Sequence, residues 1–416
     1  MGQTIFVLKK RMCKIILLFI CQAAFYFPGL TQRSCGTSAP SPDELMKNPA
    51  LRSLYDSMTA KYRSWLSTQL QRPTAVRVFP VVVHILYNNN TGDATNISDA
   101  QVFSQIDIIN NDFQKLNADW TNTPAAWQGL VANCEIKFCL ASKDPNGNYT
   151  NGIVRRYTDS TNFVLKPSPK HNNTGGSDAW PTDKYINIWI APNLNNGVTN
   201  RLGYASFPWE NDGVEDGIVI RHNAFGNTGT AASPYDEGRT LTHEVGHFFG
   251  LRHIWGDDQT MADRCSGSDG VDDTPNQLVS TGGCPGFPLT DSCTNANPGI
   301  MFMNYMDYTN DACMYMFTND QKTLMDFYII TAPNRQVLLN NVNNSCGNCT
   351  LTLNLSGNSP GGGAFYKAAV INSTQNVSLG GTLLYKAGTT IRLQPGFRCI
   401  NGRTLYAGME VCYPPN

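Results

Sequence analysis

The stretch His243-Glu244-Val245-Gly246-His247-Phe248-Phe249-Gly250-Leu251-Arg252-His253 constrains this chain more than any other. Residues four apart on a helix share one face, so His243 and His247 present two imidazoles to one point. Gly250 accepts the left-handed conformation that stops a helix, and the turn it allows brings His253 back towards the same point. The chain has six histidines, and three of them fall in these eleven residues. Three imidazoles that leave one position open suit a tetrahedral zinc ion. Glu244 stands beside that open position, where it can take a proton from an attacking water whose pKa the metal lowers to about 7.

A helix has to carry this stretch, and Leu241, Val245, Phe248 and Phe249 supply its apolar face. Ser233-Pro234-Tyr235-Asp236 reads as its start, with Ser as N-cap, Pro at the first helical position and Asp reaching back. Upstream, Val76 to Tyr87 is a β-branched run typical of a buried strand. Ser98 to Leu116 follows with apolar residues at Val102, Ile106, Ile109, Phe113 and Leu116, a helical spacing. Cys134 to Leu140, Tyr185 to Ile190 and Ile218 to Ile220 are further strands. Strands and helices in this order predict an α/β (α+β) fold with a mixed, twisted sheet. Beyond residue 255 the chain turns irregular and Cys-rich, until a helix over Asp320 to Ile330 ends ahead of Pro333.

The ends have their own logic. Lys9, Lys10, Arg11 and Lys14 precede the apolar run Ile15 to Ile20 and the small residues Ala23 and Ala24, so residues 1–24 read as a secretory signal peptide. The run is too short to span a bilayer. Losing Cys13 and Cys21 with that leader leaves eleven cysteines, ten of them beyond residue 130, an even number suited to disulfides in an oxidising compartment. The odd one is Cys35. Residues 25–75 form a polar segment, helix-prone over Asp43 to Leu70, and 76–342 the main domain. Residues 343–364 read as an Asn/Ser/Gly linker, and 365–416 as a small all-β domain stapled by some pairing among Cys346, Cys349, Cys399 and Cys412. A net charge of -1 without a basic cluster past the N-terminus argues against nucleic acid.

The histidine pattern is that of the metzincins, and its continuation Leu251-Arg252-His253-Ile254-Trp255-Gly256 resembles the pappalysin branch, over roughly residues 73 to 340. The resemblance implies a secreted zinc endopeptidase acting on proteins or peptides. It implies a methionine turn in Asn304-Tyr305-Met306-Asp307-Tyr308, with Met306 as the floor beneath the histidines and Tyr308 steadying the oxyanion. It implies disulfides Cys265 with Cys293 and Cys284 with Cys313 in an irregular C-terminal subdomain. It also implies calcium held at Asp269, Val271, Asp273 and Thr274, hard oxygen donors that such an ion prefers.

Arg33-Ser34-Cys35-Gly36-Thr37 resembles the cysteine switch of bacterial pappalysin relatives, in which a thiolate occupies the water's position on zinc and keeps the enzyme latent. Activation would then cut the chain near Arg72 or Arg77. The tail Tyr385 to Phe397 resembles a β repeat of secreted bacterial proteins, suited to contact with a cell surface or secretion machinery. Some relatives cut before Arg or Lys through an acidic residue just ahead of the cysteine after the methionine turn; here that position is Ala312, with Asp311 beside it. Two other readings compete: an inactive protease-like binding protein, which would have lost a ligand or Glu244, and a small-molecule zinc hydrolase.

Overall fold

The computed structural model describes residues 33–40, 47–68, 75–88 and 94–340, apart from 149, 164–167, 196–200, 211, 258–264 and 266. Towards the C-terminus it describes Cys346, 350–358, 364–377, 382–399 and 404–409. The leader, Arg72, Cys349 and Cys412 lie outside the described residues.

The first described helix, α1 (Pro49–Thr68), falls within the stretch the sequence marks as helix-prone. Strand β1 (Arg77–Tyr87) is buried along nearly its whole length, as a strand covered on both faces must be. It pairs in parallel with β2 (Ile136–Leu140) along its first half and with β3 (Ile153–Tyr157) along its second. On its other edge lies β4 (Ile186–Ala191), then β6 (Ile218–Arg221), then the short β5 (Gly203–Ala205). Only β5 runs antiparallel, so the sheet is mixed. Helix α2 (Asp99–Phe113) starts at Ser98, whose side chain accepts the Gln101 N–H. Its apolar stripe packs with that of α3 (Arg239–Phe248) in one core with Phe79, Val81, Ile188 and Ile220 of the sheet.

Helix α3 begins five residues later than its local signals suggest. Ser233-Pro234 is a cis peptide in a loop, and the helix starts after Gly238, a left-handed residue at φ 72°. Tertiary partners place this start. The Arg239 guanidinium reaches Asp112 and Asp119, Thr242 Oγ1 donates to Asp112 Oδ2 at 2.6 Å, and the Arg239 N–H donates to Asp311 Oδ2 at 3.0 Å. At the other end Arg335 of α5 (Pro333–Asn340) lies over the Phe248 ring, donates to its carbonyl at 2.7 Å and pairs with Asp216. Helix α4 (Asn319–Thr331) carries a capping box between Thr318 and Gln321.

Two expectations about the C-terminal region change. The stretch 343–364 contains a strand, β7 (Thr350–Leu355), which pairs in parallel with β8 (Ala364–Ser373). Beyond it β10 (Thr382–Leu393) pairs with β8 and with β12 (Thr404–Met409), while β9 (Asn376–Val377) pairs with β11 (Arg398–Cys399). Cys346 is bonded to Cys139 of β2, 207 residues away, so it does not staple the tail internally. Cys265 is bonded to Cys293 and Cys284 to Cys313. Arg77, considered above as a cleavage position, is buried at the start of β1 and ion-paired with Asp326. No helix of the described residues is long and apolar enough to cross a membrane.

Candidate metal centre

His243 and His247 leave α3 on one face, and Gly250, at φ 95°, turns the chain behind them. No other residue fits at 250, because a Cβ there would lie 2.1 Å from the Tyr328 ring. Past the turn, His253 comes back to its partners. The three Nε2 atoms converge, with separations of 3.1, 3.1 and 3.3 Å. Each Nδ1 faces an acceptor: the Tyr305 carbonyl at 2.6 Å for His243, the Leu251 carbonyl at 2.7 Å for His247, and the Asp257 carboxylate for His253. Protons on the Nδ1 atoms leave three Nε2 lone pairs aimed at one place, the arrangement that metal-ligating imidazoles share.

Burial pushes the His243 imidazole well down and His247 to about 3, so these rings are neutral. Three buried ring nitrogens converging on one point are an arrangement that can hold a cation between them. The Cys35 Sγ joins them, all four donor atoms lying within 4.8 Å of one another. Among the described residues this is the only such grouping of His, Cys, Asp and Glu. An N₃S donor set fits zinc.

Residues around this point come from distant parts of the chain. The segment 34–36 lies parallel to β5: Leu202 N–H donates to the Ser34 carbonyl at 2.9 Å and Gly36 N–H to the Gly203 carbonyl at 2.8 Å. Thr37 Oγ1 donates to Glu244 Oε2 at 3.3 Å and accepts the Ala205 N–H at 2.7 Å. Burial pushes the Glu244 carboxyl up to about 8, against the opposing pull of Cys35, Arg33 and Thr37. Tyr308 Oη accepts the Cys35 N–H at 3.3 Å, and its ring stands edge-on to His253 at 4.9 Å. Met306 is fully buried under α3, where a Cβ on Gly246 would come within 2.5 Å of its Sδ. Met306 N–H donates to Asn304 Oδ1, and Asn304 exchanges two amide hydrogen bonds with Gln321 of α4.

A family profile described as pregnancy-associated plasma protein-A matches residues 170–329, the span that holds the histidines and the methionine turn. An extracellular metalloprotease of Arthroderma benhamiae is 31% identical over 242 residues, 57% of this chain and 67% of that protein. A second one from the same fungus is 29% identical over 70% of this chain and 88% of its own length. Among solved structures, a mutant of Tannerella forsythia promirolysin is 43% identical with a TM-score of 0.67, over 76% of this chain and all of that one. Mature mirolysin in complex with a cleaved peptide is 48% identical with a TM-score of 0.59, over 65% of this chain and 99% of that one.

The chain belongs to the pappalysin family. It is therefore a metalloprotease, and the metal the family implies is zinc.

In this pappalysin the expected calcium residues divide into two groups. Asp269 Oδ2 accepts from Thr274 Oγ1 at 2.8 Å and its Oδ1 from Val271 N–H at 3.3 Å. Asp273 instead turns both oxygens to the start of α4, accepting from Thr318 Oγ1 at 2.6 Å and Asp320 N–H at 2.9 Å. Of three further residues at the site, the sequence names Asp311 only as the neighbour of Ala312, and gives Asp257 and Thr37 no role of their own. Asp311 receives the Arg33 guanidinium, Asp257 faces His253, and Thr37 reaches Glu244. The one local signal was the acidic side chain next to Ala312.

Proposed function

We propose that the chain is an exported zinc endopeptidase made in latent form, with residues up to about 75 as the prosegment. His243, His247 and His253 would hold the metal. When bound, zinc supplies Lewis-acid polarisation and an acidified water. Glu244, whose ionised form a cation held by the three histidines would favour, takes the proton of the attacking water at its carboxylate and delivers it to the leaving amine nitrogen. The Tyr308 hydroxyl donates to the carbonyl oxygen as negative charge develops there. Met306 keeps an apolar floor under the two imidazoles of α3, and Gly250 keeps the turn that returns His253. The observation that carries latency is the position of Cys35, whose Sγ is the fourth donor among the three Nε2 atoms.

The same segment supports a preference for Arg or Lys after the scissile bond. Two residues before Cys35, the Arg33 side chain is buried against Asp311; it also donates to the Thr309 carbonyl at 3.3 Å and Thr240 Oγ1 at 3.2 Å, under the Tyr235 ring. A pocket so built to hold a guanidinium in the latent chain can hold one from a substrate. Export agrees with the basic and apolar leader and with relatives named extracellular. Calcium at Asp269, Val271, Asp273 and Thr274 would require Asp273 to leave its place at α4; a rise in Tm with calcium but not magnesium would support it. The C-terminal sheet would serve attachment or secretion.

The experiment is casein cleavage by the purified chain after trypsin activation, beside Glu244→Ala and with phenanthroline. Cleavage lost in both controls is the expected result. Undiminished cleavage by Glu244→Ala would place the chemistry elsewhere.

A further inference from the structure

Asp257 is held in a conformation that its side chain must justify. It follows Gly256, at φ 76°, and itself lies at φ 60°, in the left-handed region that residues with a Cβ seldom adopt. This turn returns the Asp257 carboxylate to His253. Oδ1 faces His253 Nδ1, and Oδ2 accepts the main-chain N–H of Ala39 at 3.1 Å. The Trp255 ring lies flat on the same imidazole, 4.3 Å away, and fixes its plane. The Nδ1 atoms of His243 and His247 face backbone carbonyls, so His253 is the one of the three held by a charged side chain. That side chain also faces the segment that carries Cys35. Thr37 is bound to β5 on one side, and Ala39, two residues on, to Asp257.

We propose that Asp257 is the positioning residue for His253 and that its second oxygen is a main-chain acceptor in the substrate cleft. In the latent chain the Ala39 N–H fills that acceptor; in the active enzyme an N–H of the bound substrate takes its place, on the side of the metal away from Asp311. The inference rests on the zinc reading above. One carboxylate then serves two partners at once, and two substitutions separate them. A metal on Nε2 leaves the proton on Nδ1, so His253 must donate. Asn at 257 can still accept that proton through its carbonyl, but its amide nitrogen cannot accept a main-chain N–H. Ala can do neither.

The test uses the trypsin-activated chain as wild type, Asp257→Asn, Asp257→Ala and His247→Ala. Zinc release to a chromogenic chelator is followed first. Asp257→Ala should bind zinc about 10- to 100-fold more weakly, with Asp257→Asn between it and wild type. Cleavage is then measured on peptides lengthened one residue at a time on the side away from the basic residue. For wild type, kcat/KM should rise at the length that brings an N–H to Asp257, and this rise should vanish in Asp257→Asn, mainly through KM. Zinc release from Asp257→Ala equal to wild type, or a length dependence preserved in Asp257→Asn, would overturn the proposal. If Asp257→Ala does not fold, as judged by its circular dichroism melt, the length dependence of Asp257→Asn decides. Wild-type zinc retention by His247→Ala would instead sink the zinc reading itself.

Discussion

The guanidinium of Arg33 and the carboxylate of Asp311, 278 residues apart, form an ion pair in which neither side chain is more than 1% exposed. The other Asp311 oxygen accepts the N–H groups of Glu237 and Arg239, each at 3.0 Å, at the start of α3. The carboxylate thus faces the positive end of the helix that carries His243 and His247, which favours its charge.

Asp311→Asn should reduce kcat/KM for peptides with Arg or Lys after the scissile bond by about 100-fold, the worth of a lost charged hydrogen bond at about 2 to 3 kcal/mol. Peptides with an apolar residue there should change much less. A matched pair of peptides differing at that one residue checks it. Equal losses on both would mean that Asp311 matters only as the cap of α3.

Cys35→Ser should give an uncut chain that already cleaves casein, because a hydroxyl is a far weaker zinc ligand than a thiolate. Adding Arg33→Ala should raise that activity further, since it removes the second anchor of the segment. The measurement is casein cleavage before any trypsin is added. An uncut Cys35→Ser chain as silent as wild type would show that the thiol is not what holds the enzyme latent.

Gly246→Ala sets helix propensity against packing. Ala gains about 1 kcal/mol in a helix interior, but its Cβ would come 2.5 Å from Met306 Sδ, with Phe317 at 3.5 Å behind. Met306 is fully buried, so its displacement disturbs the packing around it, and overpacking at about 1 to 3 kcal/mol should win. The expected result is a Tm lower by a few degrees, together with reduced activity as Met306 pushes on the helix between its two histidines.

His84 gives a pH dependence of stability. Burial pushes its imidazole down to about 4, where it bridges Ser177 Oγ and Asn187 Oδ1, each at 3.0 Å, and stacks on Trp189. Above the unfolded value of about 6.5, neither the folded nor the unfolded chain holds the proton, and the stability is fully present. As pH falls from about 6.5 to about 4, only the unfolded chain takes it up, so about 3 kcal/mol is lost across that window. His84→Gln should be less stable at pH 7 but flatter between pH 7 and 5. Urea midpoints at pH 7, 6 and 5 would show it, and parallel curves for the two proteins would contradict it.

What the sequence determined alone is what depends on neighbours within a turn or two. The i, i+4 geometry of a helix puts His243 and His247 side by side, and the conformational freedom of glycine permits the turn at Gly250. The β-branched run at β1 and the periodicity of α2 are local in the same way. Tertiary structure decided the rest, because those choices are made by residues far apart in the chain. Ser233 had good N-cap chemistry, yet Asp112, Asp119 and Asp311 fixed the start of α3 at Arg239. The stretch 343–364, read as a linker, did not reveal the strand Thr350–Leu355 that pairs in parallel with β8, nor could Cys346 show that its partner lay in β2. Ala312 stands at the position where some relatives carry an acidic residue; the fold turned the neighbouring Asp311 to the guanidinium of Arg33. No spacing rule spans 278 residues, since only the packed chain brings such groups within hydrogen-bonding reach.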